Sequence, residues 1–152
     1  MAIWQFEIAL LPAATDMLVW TNRGFDLTPL PLKAISSIRP VLGAALGTPC
    51  LDDGGTAIYG KPDGNRVHLI PSGAEGCEMW VGIDARSDAD HFCKLIVTIA
   101  QYLDCELFSP EIEQRLPPDP RALGSALMNS RAWIYALDPS QYKQTAHGWM
   151  HI

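Results

Sequence analysis

Positive charge is scarce in this chain. Eleven Lys and Arg stand against seventeen Asp and Glu in 152 residues, a formal charge of −6 with a pI of about 5.0. The basic residues are scattered singly from Arg23 to Lys143. Phosphate contacts need clustered Lys and Arg, so this distribution argues against a nucleic-acid partner. An acidic exterior instead attracts basic partners and speeds encounter with them, or simply keeps the protein in solution.

Long apolar runs are also missing. The stretch from Ile8 to Ala14 is too short to cross a bilayer, and no other stretch comes near. The N-terminus, Met1-Ala2-Ile3-Trp4-Gln5-Phe6-Glu7, has no basic segment, and Glu7 interrupts the apolar stretch, so it does not read as a secretory signal. The expectation is a cytoplasmic protein with no membrane partner.

Motifs for chemistry are absent as well. Cys50, Cys77, Cys93 and Cys105 form no C-x-x-C pair and no zinc spacing. Three of them lie in periodic apolar segments, as buried thiols do, although spacing alone leaves a disulfide open. No G-x-S-x-G elbow, Walker lysine or G-x-G-x-x-G loop occurs. His147 and His151 would share one helical face, but they have no acidic or thiol companion and read as an exposed tail. His68 and His91 read as surface histidines. No metal, cofactor or catalytic residue is therefore expected.

What is present is ordinary core material. The chain is 48% hydrophobic and 18% charged, and its length suits a single α+β domain over residues 1–152. From Ile3 to Leu11, Trp4, Phe6, Ile8 and Leu10 alternate with Gln5 and Glu7, the pattern of a half-buried strand ending at Pro12. Residues 12–55, divided by prolines and glycines, predict one or two short helices. One begins after Pro31 with Leu32, Ile35 and Ile38 and is stopped by Pro40.

Lys61-Pro62-Asp63-Gly64-Asn65 is a turn by its chemistry. Strands at Arg66–Ile70 and Cys77–Ala85 then form an antiparallel hairpin. In the second, Cys77, Met79, Val81, Ile83 and Ala85 face inward, and Glu78, Trp80, Gly82 and Asp84 face outward. Ser87 and Asp90 suggest a capping box for a helix striped by Phe92, Leu95, Ile96, Ile99 and Leu103. Cys105–Phe108 reads as a strand, and Asp119 as the cap of a helix starting at Pro120. Trp133–Leu137 reads as a last strand or buried turn, and Asp138-Pro139-Ser140 as the start of a short terminal helix. The sum is a two-layer α+β sandwich, its sheet antiparallel or mixed, with helices on one face. Trp4 and Trp133 belong to its core.

Carboxylates and one tryptophan are the remaining candidates for function. Asp63, Asp84, Asp104 and Glu106 would serve a small metal-dependent or carboxylate-based hydrolase if they converge. Alternation puts Trp80 opposite the core-facing set. There it is either an exposed interface anchor or lies beneath the 12–55 segment.

Several short motifs occur together: Ile3-Trp4-Gln5-Phe6, Tyr59-Gly60 before Asp63-Gly64-Asn65-Arg66, and Ile83-Asp84-Ala85-Arg86. Leu103-Asp104-Cys105, Ser130-Arg131-Ala132 and Asp138-Pro139 complete the set. It resembles small uncharacterised bacterial proteins similar to the immunity proteins of polymorphic-toxin systems. The resemblance implies a non-enzymatic inhibitor that binds a cognate protein toxin and carries no catalytic residues. Trp80, Glu78, Asp84, Asp104 and Glu106 are then the candidate partner-binding residues. A homomeric structural or adaptor subunit is a third reading.

Overall fold

Alternating apolar strands in a short chain require one face of a sheet to be covered, and helices cover it here. The computed structural model describes residues 1–13, 19–21, 24–145 and 148–151, without the side chains of 14–26 and 141–152. Strands β1 (Gln5–Pro12), β2 (Val19–Thr21), β3 (Gly24–Asp26) and β4 (Leu30–Pro31) lead to helix α1 (Leu32–Leu46). Next come β5 (Cys50–Leu51), β6 (Ala57–Gly60), β7 (Arg66–Ser72) and β8 (Gly76–Asp84). Helix α2 (Asp90–Tyr102), β9 (Cys105–Ser109), β10 (Gln114–Leu116), α3 (Pro120–Met128) and α4 (Arg131–Leu137) follow. A 3-10 turn at Pro139–Gln141 precedes β11 (Tyr142–Thr145) and β12 (Gly148–His151).

An eight-stranded sheet runs in the order β10-β9-β1-β8-β7-β6-β5, with β4 also against β8. Its pairings are antiparallel. The pairs β2–β3 and β11–β12 stand as separate two-stranded sheets. The fold is α+β, as the alternation predicts. Phe6, Ile8, Leu10, Val67, Leu69, Met79, Val81, Ile83 and Leu107 form the inner sheet face. Against them pack Ile35, Ile38 and Leu42 of α1, the apolar stripe of α2, Leu123 and Leu127 of α3 and Ala132 of α4. Among the described residues, no helix is long and apolar enough to cross a membrane.

Several expectations need correction. Pro40 does not stop the first helix but lies inside α1. It sits on the exposed side, where its ring breaks no packing and water can take the carbonyl of Ser36 that loses its amide partner. Strand β1 is buried on both faces at Ala9 and Leu11, which pack with Leu27 and Phe108 on the outer side. No capping box forms at Ser87: the cap position is Ala89, without a side-chain cap bond. The Ser87 hydroxyl turns instead to the Asp84 carbonyl at 3.4 Å.

Trp133–Leu137 is helical. A short apolar run does not distinguish strand from helix, and the Ser130 hydroxyl decides the matter by accepting from Trp133 N at 3.2 Å. The expected terminal helix is instead the 3-10 turn followed by the β11–β12 hairpin. His151 lies in β12, whereas His147 is outside the described residues. Trp4 is not a core residue but half-buried. Its indole N–H donates to the Asp63 carbonyl at 2.6 Å, and the Arg86 guanidinium lies over its ring at 4.0 Å.

That contact is part of a polar clamp on the 61–65 turn. Gln5 is 2% exposed. Its side-chain amide donates to the carbonyls of Pro62 at 3.1 Å and Gly64 at 2.7 Å. Asn65 Oδ1 accepts from the Asp84 amide at 2.8 Å. Gly60 is indispensable to this geometry. Its φ is +88°, and an added Cβ would lie 2.2 Å from the Asn65 carbonyl oxygen.

Three predictions test these helices and burials. Asp119 accepts from Ala122 N at 3.0 Å, so Asp119→Ala should lower unfolding free energy by about 1 kcal/mol. Pro40→Ala should raise it by about 1–3 kcal/mol, and urea melts of both variants test the opposite signs. Cys77, Cys93 and Cys105 are buried free thiols and Cys50 is an exposed one. Burial pushes Cys93 and Cys105 up to about 11. Native alkylation followed by mass spectrometry should therefore label Cys50 first and leave the other three until the protein unfolds.

Candidate functional site

The face of the sheet opposite the helices carries the polar side chains of β1, β7 and β8. Register brings them together. Gly82 of β8 lies between Glu7 of β1 and Arg66 of β7. One row along, Trp80 lies between Ala9 and His68. Glu7, Arg66, His68, Ile70, Trp80 and Gly82 line a cleft of about 200 Å³. This is smaller than the ~300–1,000 Å³ typical of drug-sized ligands and suits a single side chain.

Each wall of the cleft has a local cause. A Cβ on Gly82 would come within 3.1 Å of Arg66 Nε and 3.2 Å of its Cγ, so the missing side chain lets Arg66 lie across the sheet. The Arg66 guanidinium reaches back to the Pro62 carbonyl, with Nη1 donating at 3.1 Å. The Trp80 indole N–H donates to Glu78 Oε1 at 3.1 Å, which fixes the ring. Among the described residues, Glu7 and Arg66 make no ion pair; the pairs are Arg86–Asp84, Lys94–Asp90 and Arg115–Glu106.

Electrostatics set the two titratable walls in opposite senses. Burial raises the Glu7 carboxyl above its ordinary range, with Arg66 and the N-terminus pulling it back. Burial lowers His68 below its ordinary range, Arg66 lowers it further, and Asp52 opposes both. His68 Nε2 is buried and has no hydrogen-bond partner among the described residues. Such an unmet polar atom costs about 1–3 kcal/mol. His68 is therefore not the plain surface histidine expected from its sequence.

The residues singled out from the sequence fall in different places. Trp80 and Glu78 stand together on the outer face. Trp80 is half-buried and packs against the cluster of Ala9, Leu11, Leu27 and Phe108, to which the 12–55 segment contributes Leu27. Glu106 points to the same face but is held by Arg115 Nη2 at 3.2 Å. Asp104 is exposed in the tight turn before β9, with a φ of +53°.

Asp84, expected to face outward, is 6% exposed. Its carboxylate accepts from the backbone amide of Arg86 at 2.9 Å and from both Nε and Nη2 at 3.1 Å. The reason is the clamped 61–65 turn, which covers that end of β8. Asp84 is thus a structural anchor there.

The four carboxylates of the hydrolase reading do not converge. Asp63 and Asp84 lie at the Arg86 end, and Asp104 and Glu106 lie on and just before β9. Among the described residues, no group of three His, Cys, Asp or Glu is placed to hold a metal ion. Glu7, Arg66 and His68 were not singled out from the sequence as site residues. Alternation marked Glu7 and His68 as outward-facing, but the strand register that joins them is not written in either strand alone.

The site yields a titration prediction. A lowered His68 contributes stability that is present above its ordinary 6.5 and is lost as pH falls through the folded value. Its NMR titration midpoint should therefore lie below 6.5. A raised Glu7 contributes stability that is full below its ordinary 4.5 and is lost as pH rises through the folded value. Glu7→Gln should consequently raise the melting temperature at neutral pH, with the gain disappearing in acid. A lower melting temperature at neutral pH would contradict the burial account.

No protein-family model matches this chain, and no curated protein or solved structure matches it.

Proposed function

We propose that the chain is a binding protein of the immunity type, which neutralises a cognate toxin by docking its outer sheet face onto a basic protein surface. The observation that carries this reading is the half-buried Trp80 beside a cleft lined by Glu7 and Arg66, on the face of the sheet opposite the helices. Tryptophan and arginine are the residues that most often dominate interface energetics, and they do so near the interface centre. Trp80 and Arg66 occupy the middle strands β8 and β7, with sheet on either side to exclude water around them.

Charge supports the same reading. A formal charge of −6 favours encounter with a basic partner, by long-range attraction that salt screens over about 8–10 Å. Glu78 beside Trp80 supplies negative charge at the centre of the face. Asp104 lies toward the β9 side, where Arg115 already offsets Glu106. The hydrolase reading loses its support, because the carboxylates it needs are apart.

The test is co-expression with the product of a toxin-like gene encoded beside this one. The wild-type chain should protect the host and copurify with that product. Trp80→Ala should weaken the complex by about 10–100-fold, and association should slow as salt rises. Undiminished killing with no complex would refute the proposal.

A further inference from the structure

Large apolar side chains left in the open gather at one corner of the helix layer. Met128 at the end of α3 is 59% exposed, and Ile134 and Leu137 of α4 are 40% and 71% exposed. Helical spacing joins the last two to Trp133. Trp133 and Leu137 are four apart and Ile134 and Leu137 three apart, so they form one ridge, turned away from Ala132, which is buried in the core. Beside the ridge runs a groove of about 240 Å³ along the seam between α2 and α3. Ala89, Cys93, Gly124 and Leu127 line it, and Met128 and Trp133 belong to groove and corner alike. Gly124 keeps the groove open, because a Cβ there would meet nothing within 4 Å.

We propose that this ridge and groove form one self-complementary surface, through which two copies of the chain associate about a two-fold axis. Shape favours a second copy as the occupant. A ridge and a groove side by side on one surface are both covered when a two-fold rotation seats Ile134 and Leu137 of each copy in the groove of the other. Ridges entering grooves are also the ordinary way in which helices pack.

Charge favours the same occupant. The groove side carries Asp88 and the Asp90–Lys94 ion pair, a net negative rim. Arg131 opens α4, and Arg121 lies seven residues before Met128 on the same stripe of α3; both are exposed. A uniformly basic or acidic partner would meet its own sign somewhere on this surface. A second copy, turned end for end, offers its arginine side to the acidic side of the first. The formal charge of −6 is therefore not concentrated here, and repulsion between copies does not forbid the contact. The helix layer lies opposite the outer sheet face, so such a dimer leaves both outer faces open. This goes beyond the inhibitor reading and does not rest on it.

The test is sedimentation velocity of the full chain at roughly 1 to 500 µM, where mass action reveals weak association. The mass should rise from 16.7 kDa toward twice that value, with a dissociation constant on the order of tens of micromolar. Gly124→Leu fills the groove from within, where the chain itself leaves space and a helix interior prefers Leu to Gly. It should weaken the dimer at least about tenfold without lowering the melting temperature. Leu137→Lys, which removes the ridge, should weaken it by a similar factor. Leu51→Lys, at a residue 72% exposed on β5, should leave association unchanged.

A monomer throughout the concentration range would overturn the proposal. Weakening by only one of the two interface variants, or by neither, would overturn it as well, because a two-fold contact uses ridge and groove together. Equal weakening by Leu51→Lys would reduce the association to general stickiness, and masses beyond the dimer would replace the closed contact with an open-ended one. Failure to capture a toxin would leave the dimer standing, and a monomer that captured one would leave the inhibitor reading standing.

Discussion

The register of β8 against its two neighbours is the constraint on which the rest of the structure depends. This strand pairs with β1 from Asp84 to Met79 and with β7 from Gly82 to Gly76, so its backbone is satisfied on both edges. Cys77, Met79, Val81 and Ile83 then fall on the helix-covered side, and Glu78, Trp80 and Gly82 on the other. Because strand side chains have a period of two, a one-residue slip would carry the first set into the open and the second into the core. Burial of the inner set resists that slip, at about 1.5–3 kcal/mol for each large apolar side chain. The cleft inherits its precision from the core behind it.

The same register explains why one end of β8 is structural and its middle is available. At Asp84 the 61–65 turn folds over the strand and is fastened by Gln5, Asn65 and Arg86. Every polar atom of the Asp84 carboxylate finds a guanidinium or amide donor there. Two residues earlier, Gly82 has no side chain, and the Arg66 stem lies across the opening. Two further back, Trp80 closes the cleft. A buried carboxylate with complete pairing fixes a shape. A buried imidazole nitrogen without a partner among the described residues, a few residues away on the neighbouring strand, does the opposite and carries an unmet desolvation cost.

Much of this architecture was legible in the chain because the periodicities are strong. The β7–β8 hairpin, the α2 stripe, the Cys105 strand and the Asp119 cap each follow from local spacing and end chemistry. The parts that were not legible depend on which side of an element meets solvent. Pro40 looks like a helix stop until its position on the exposed side of α1 turns the ring to solvent and lets water take the freed carbonyl, at a cost the helix bears. Trp133–Leu137 is too short for a period to separate strand from helix. Asp84 obeys the alternation and is nevertheless buried, because a turn distant in sequence folds over it. Trp80 was legible as an outward-facing aromatic, and it packs against a cluster that includes Leu27, which no local pattern connects to it.

The cleft illustrates why a site can escape a motif search. Glu7, Arg66, His68 and Trp80 come from three strands and share no fixed spacing, so no linear signature can represent them. Their conjunction is nevertheless selective in physical terms. Burial disfavours the charged forms of Glu7 and His68 alike, which opposes leaving both there for solubility alone. Strand register therefore sets a half-buried acid, a guanidinium and an indole side by side on the outer sheet face, although no local pattern in the chain links any two of the three strands.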